Sequence, residues 1–322
     1  MRLANVPPLA FLLLTLTALS FSSPQVRAQA ADDTSGGQEG TAPRSSKNKG
    51  GRATELRWDP PTVDTPILSL AATRPCSLPD VLDQVGQRAR QLVDHLQNFD
   101  AREEVHFEQT DQHGNSEADV LGQFDYMVDF GQRSDVFHVR ETRTSLAGSN
   151  KKLSVDMVDT GLPALALIFH PSLRTDYEFR CEGFSPWRNQ GAWVVYFRQI
   201  EGRRPRTAAI ATPTEVYPIR LKGRAWIAAD SGEVMHLETN LAKQVAMICN
   251  CAKRVVVLEA NAVSVDYAPV KFRSENTDVW LPQSAVAYSD YGYRRLVIEH
   301  SFSDFQLFSV QTQQIIGAPK EP

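Results

Sequence analysis

The stretch Tyr217–Asn240, YPIRLKGRAWIAADSGEVMHLETN, decides how the rest of the chain is read. Ile219, Leu221, Ala225 and Ile227 share one parity, and Arg220, Lys222 and Arg224 take the other. A period of two marks a strand with one buried and one wet face. Asp230-Ser231-Gly232 forms a short turn, after which Val234, His236 and Glu238 alternate with Met235, Leu237 and Thr239. The stretch predicts a β-hairpin.

Working outward, similar runs recur on both sides. Upstream, strands are predicted at Arg102–Gln109, Val120–Phe130, Asp135–Thr144, Tyr177–Gly183 and Ala192–Gln199. The hairpin itself contributes Pro218–Ala229 and Glu233–Asn240, and Arg254–Tyr267, Val279–Tyr291 and Arg294–Phe302 follow. Gly114-Asn115 and Tyr291-Gly292 mark two further turns. Many strands joined by short turns indicate antiparallel pairing, and nothing repeats at a fixed period. Gly161–His170 (GLPALALIFH) is apolar all round and reads as a short buried helix or a plug-like loop.

The strongest helix runs from Ser77 to Phe99, with Ser77 as cap, Pro79 in the first turn and Asp80 three residues on. Val81, Leu82, Val85, Ala89, Leu92, Val93 and Leu96 form its apolar stripe. Its polar face is mixed in sign, so packing onto a sheet is favoured over lying on a membrane. The predicted class is α+β and mainly antiparallel β. About ten strands form a strongly curved half-barrel with the one long N-terminal helix on its concave face, the long strands suiting such a coil.

The first residues carry an address. Arg2 precedes the apolar run Leu9–Phe21, and Val26-Arg27-Ala28-Gln29-Ala30 offers small residues where a signal peptidase reads. Residues 1–30 are therefore expected to be a cleaved signal peptide, placing the protein in the periplasm or outside the cell. The run is too short for the roughly 20 residues of a membrane span, and an integral membrane protein is not expected. Residues 31–53 are polar and Gly/Ser-rich and predict a disordered leader. Residues 54–75, with Trp58, Ile67 and Leu70 among prolines, read as an extended arm lying against the domain. One domain over 76–310 and a tail at 311–322 complete the division.

The net charge of the 322 residues is −4, which argues against nucleic acid as the main partner. Four cysteines, Cys76, Cys181, Cys249 and Cys251, permit three pairings in an oxidising compartment. Cys249 and Cys251 sit two apart on one run and fit bridging geometry poorly; Cys76–Cys181 is the favoured bond, although spacing alone does not fix the connectivity. No metal site is expected, since Cys-Asn-Cys lacks partners at finger-like spacing and no two histidines lie three to five residues apart. Nucleophile elbows, phosphate loops and dinucleotide-binding glycines are missing, so neither an enzyme nor a cofactor is expected. Glu103 and Glu104 point to opposite strand faces, although carboxylates from distant strands could still meet.

Six segments carry a resemblance: CSLPDVLDQVGQRARQLVDHLQNF from Cys76, GLPALALIFHP from Gly161, FRCEGF from Phe179, GRAWIAADSGEV from Gly223, VKFRSENTDVWLPQSAVAY from Val270 and HSFSDFQLFSV from His300. They resemble a family of uncharacterised exported bacterial proteins. The layout of signal peptide, long helix and curved sheet resembles the lipoprotein-carrier fold of the LolA/LolB type, shared by lipoprotein-binding regulators of the RseB type. That resemblance implies a hydrophobic ligand or a lipid-modified protein as partner, held between sheet and helix, and supplies no site residues.

Shared strand faces nominate Trp193, Val195, Phe197, Ile219, Leu221, Ile227, Met235 and Leu237 as ligand-lining residues. The same alternation would serve a filled core. An interaction module at the cell envelope, working through sheet edges and the 31–75 arm, is the alternative, and an uncharacterised hydrolase the second alternative.

Overall fold

The structure, a computed structural model, describes residues 58–67, 74–95, 98–133, 136–148, 153, 161–211, 215–249, 254–272 and 278–307. The expected signal peptide, leader and C-terminal tail lie outside these residues, as does Cys251.

Helix α1 spans Leu78–His95, and its Val81, Val85 and Ala89 are buried. It is shorter than the sequence predicts. Asn98 already opens the first strand, and Phe99, expected as the last helical residue, pairs across the sheet with Leu307. Burial of Phe99 in the alternating pattern of a strand outweighs its fit to the helical stripe.

Fourteen strands follow among the described residues: β1 (Asn98–Asp111), β2 (Ser116–Arg133), β3 (Val136–Ser145), β4 (Tyr177–Trp187), β5 (Gln190–Gln199), β6 (Ala209–Ala211), β7 (Val216–Pro218), β8 (Leu221–Ala228), β9 (Val234–Leu241), β10 (Val245–Cys249), β11 (Arg254–Leu258), β12 (Ala260–Val270), β13 (Val279–Asp290) and β14 (Arg294–Leu307). Ten of them form one antiparallel sheet in the order β3-β2-β1-β14-β13-β12-β9-β8-β5-β4. The sheet is curved but not closed, with β3 and β4 as its free edges. The hairpins β6–β7 and β10–β11 stand apart from it.

Two predicted strands are each divided. Pro218 has no N–H for the ladder, and the Ile219 N–H bonds to the Ala208 carbonyl, so β7 and β8 separate there. At Glu259 the N–H turns to the Asp290 carbonyl, sending β11 to the hairpin and β12 to the main sheet. The sequence reading missed β6 and β10, which are three and five residues long.

The connection from β3 to β4 runs between the two sheet edges. Its 3-10 helix Leu165–Phe169 is wholly buried, confirming a short buried helix within Gly161–His170. It packs with α1 against one face of the sheet, in a core holding Tyr126, Val195, Phe197, Leu221, Leu237 and Tyr267. A disulfide joins Cys76, just before α1, to Cys181 on β4, as favoured from the sequence.

The opposite face is not the wet one that alternation predicts for the second half of β8. Arg224, Trp226 and Ala228 are buried there. The arm at 58–67 lies across it: Trp58 packs with Ala262, Tyr288 and Val297, while Ile67 joins Trp226, Met235 and Trp187. Arg224 donates to the carbonyls of Val63 and Thr65, and Asn240 accepts from the Val63 N–H.

Candidate functional site

A cavity of about 640 Å³ lies between the sheet, the buried 3-10 segment and the β6–β7 hairpin. Leu221 of β8, Thr239 of β9 and Val263 of β12 form its floor. Leu162, Leu165, Leu167 and Leu173 line it from the 3-10 side, and Ile210, Val216 and Ile219 from the hairpin. Val139, Arg140 and Glu141 of edge strand β3 line it as well, because sheet curvature brings β3 toward the 3-10 segment. Volume and lining both suit an apolar or amphiphilic small molecule.

Polar groups are few and placed at particular points. The Thr239 hydroxyl is buried and has no hydrogen-bond partner within the described protein. An orphan hydroxyl beside a cavity offers a ligand one anchoring bond, since its desolvation is otherwise uncompensated. Arg206 sits at the rim, held by Asp176 and the Ser172 carbonyl. Glu141 accepts from the Gly161 N–H, and burial raises its carboxyl above the usual range despite the nearby Arg143.

Behind Glu141 a charged cluster is sealed inside the sheet. Arg143 binds Glu103 with two hydrogen bonds, Nε to Oε2 at 2.6 Å and Nη2 to Oε1 at 2.9 Å. His300 Nδ1 lies 2.9 Å from Glu103 Oε1, and Arg143 stacks over the Tyr126 ring. Burial alone would raise the Glu103 pKa, but the bonds from His300 and Arg143 outweigh it and hold the carboxyl below its ordinary value. This is the meeting of distant acids that the sequence left open, with an arginine between Glu103 and Glu141. Glu103 and His300 side chains are 0 % exposed.

Of the eight nominated residues, Ile219 and Leu221 line the cavity directly. Trp193, Val195, Phe197, Ile227 and Leu237 share its sheet face but belong to the packed core under α1 and the 3-10 segment. Met235 is on the other face with Trp226, because a β-bulge between Trp226 and Ile227 shifts the register and turns its side chain away. The cavity residues of β3 and of 205–210 were missed, since neither stretch carries a periodic signal that ties it to the hairpin.

A second space of about 140 Å³ opens between α1 and β12–β13, lined by Val85, Leu92, Tyr267 and Trp280. Glu233, at its edge, lies 3.3 Å from Arg88 on α1, and burial pushes its carboxyl up to about 7 against that neighbour. On the sheet's outer face His106 is bracketed by Glu108 and Asp119, contributed by β1 and β2. The sequence search for paired histidines could not find this group.

No family model and no curated protein matches the chain. Solved structures do. A DUF1329 family protein from Desulfovibrio piger is 10% identical over 73% of this chain and 95% of its own, with a TM-score of 0.38. A domain from Vibrio parahaemolyticus named for outer membrane lipoprotein sorting is 8% identical over 72% and 94%, with a TM-score of 0.36. A LolA superfamily protein from Nitrosomonas europaea is 10% identical over 71% and 94%, with a TM-score of 0.31. The likeness is one of fold.

Proposed function

We propose that the protein is an exported, non-enzymatic carrier that binds a lipid, an acyl chain or the lipid moiety of a lipoprotein. The observation that carries this reading is the cavity of about 640 Å³, whose lining includes ten leucine, isoleucine and valine residues and which the side chains of the described residues leave open. The Cys76–Cys181 bond fits an oxidising compartment outside the cytoplasm. Among the described residues no helix is long and apolar enough to cross a membrane.

The interaction-module reading is less favoured. The described part of the arm is already held by Arg224, Asn240 and the Lys222–Asp64 ion pair, so it is not free for another protein.

Uptake of a fluorescent fatty acid by the purified protein tests the carrier reading. Ala164→Phe and Ala208→Phe place rings in the cavity without removing core contacts. Each variant should stay folded by near-UV circular dichroism and lose at least tenfold in affinity. Undiminished uptake in folded variants would place the ligand elsewhere, and no uptake by the parent protein would remove the carrier reading.

A further inference from the structure

The hairpin β10–β11 has two faces of different fate. Val245, Met247, Val256 and Leu258 turn toward the core, with Met247 and Leu258 fully buried. Ala246 pairs with Val257 and Ile248 with Val255, which puts these four on the opposite face. All four are exposed, Val255 at 68 % and Ile248 at 47 %. An antiparallel face turned to water ordinarily carries polar residues, and the four described positions of this one are apolar. Beside it the Ile248 N–H donates to the Tyr217 hydroxyl, which ties β7 to β10; Val216, the residue before Tyr217, is 66 % exposed. Four of the seven large apolar side chains exposed among the described residues therefore lie on these two hairpins.

β7 also borders the cavity, through Val216. Charge around the patch has a sign. Arg203 and Arg204 are exposed in the turn leading to the cavity wall, Lys243 is exposed just before β10, and Arg220 is half-buried just after β7. They outnumber the exposed acids of the same segments, Glu201, Glu215 and Glu259, in a chain whose net charge is −4.

We infer that the exposed face of β10–β11 with Val216 docks on the surface of an anionic phospholipid bilayer. Valine and isoleucine enter the headgroup–acyl boundary while the flanking cations meet lipid phosphates. The cavity mouth is then set against the lipid phase. The choice of partner rests on the cargo reading above, since a lipid ligand must pass between a bilayer and the cavity. A second copy of the chain would also cover an apolar face, but the cationic flank would then oppose its own copy in a two-fold pairing.

Flotation with vesicles tests this. The purified protein should float with vesicles of phosphatidylglycerol and phosphatidylethanolamine, bind phosphatidylcholine vesicles several-fold less, and come off at high salt. Ile248→Ser with Val255→Ser should lower the bound fraction about tenfold, and Arg203→Gln with Arg204→Gln severalfold. Both double variants should keep fatty-acid uptake from solution, because neither pair lines the cavity. Absence of flotation, or flotation unchanged in the Ile248/Val255 variant, overturns the inference. So does a concentration-dependent dimer, seen by sedimentation velocity, that the same variant abolishes. Failure of uptake with intact flotation would instead sink the carrier reading and leave this docking surface standing.

Discussion

Glu103 shows what alternation in a sequence can and cannot tell. Its parity with Ala101 and Val105 placed it on one strand face and Glu104 on the other, and the structure agrees: Glu103 is buried and Glu104 exposed. The sequence could not name its partners, because Arg143 and His300 come from strands 40 and 197 residues away. Removing one member of a buried ion pair leaves the other charged and unsolvated. Arg143→Met is therefore expected to cost about 3–5 kcal/mol in urea unfolding, and the double replacement Glu103→Leu/Arg143→Met clearly less than two single losses. Because the Glu103 pKa is depressed in the fold, its contribution is present above 4.5 and is lost as pH falls through the folded value.

His236 behaves in the opposite sense. Burial would lower its pKa, but the carboxylates of Asp266 and Glu238 outweigh burial and raise it above 6.5. Its contribution is complete below 6.5 and disappears as pH rises through the folded value. Thermal melts at stepped pH should show a stability component declining above 6.5 that is missing in His236→Gln. An identical slope in both proteins would assign that decline elsewhere; Glu233, raised to about 7, lowers stability between 4.5 and about 7 instead.

At the scale of elements, the strands of the main sheet were legible because each carries a period of two long enough to read, and the buried 3-10 segment because it is apolar throughout. What escaped the sequence depends on contacts between distant segments. Helix α1 gives way to β1 before Phe99 because β14 offers Phe99 a partner. Met235 leaves the cavity-facing parity through a bulge that no residue type announces. Gly232 was legible as a turn residue, and its backbone, at φ +75, also lies where an added Cβ would meet Gln84 of α1 at 2.5 Å. That the described residues 58–67 cover Arg224 and Trp226 was not legible in the sequence. Asp in place of Val63, which is fully buried, should lower the melting temperature by several degrees while sparing fatty-acid uptake, because the arm lies on the face away from the cavity. The disulfide anchors α1 to edge strand β4 across 105 residues of chain. Cys76→Ser with Cys181→Ser is expected to cost roughly 2–5 kcal/mol in denaturant unfolding.

At the scale of the whole molecule, a sheet of ten antiparallel strands curls without closing, and one face is covered by α1 and the β3–β4 connection. The covering is closed over Val195, Phe197 and Leu237, which are fully buried. It is incomplete toward β6–β7, where the large cavity remains. Alternation is the same in both regions, which is why the sequence nominated core and cavity residues together. The difference lies in what packs above each strand, and for the cavity that includes the β6–β7 hairpin, whose first strand the sequence reading missed.

The most direct measurement is a native mass spectrum of the purified protein followed by organic extraction. The carrier account predicts added mass that organic solvent releases as a lipid or fatty acid, and its absence from the Ala164→Phe and Ala208→Phe variants. A bare polypeptide mass that also takes up no fatty-acid probe would contradict it.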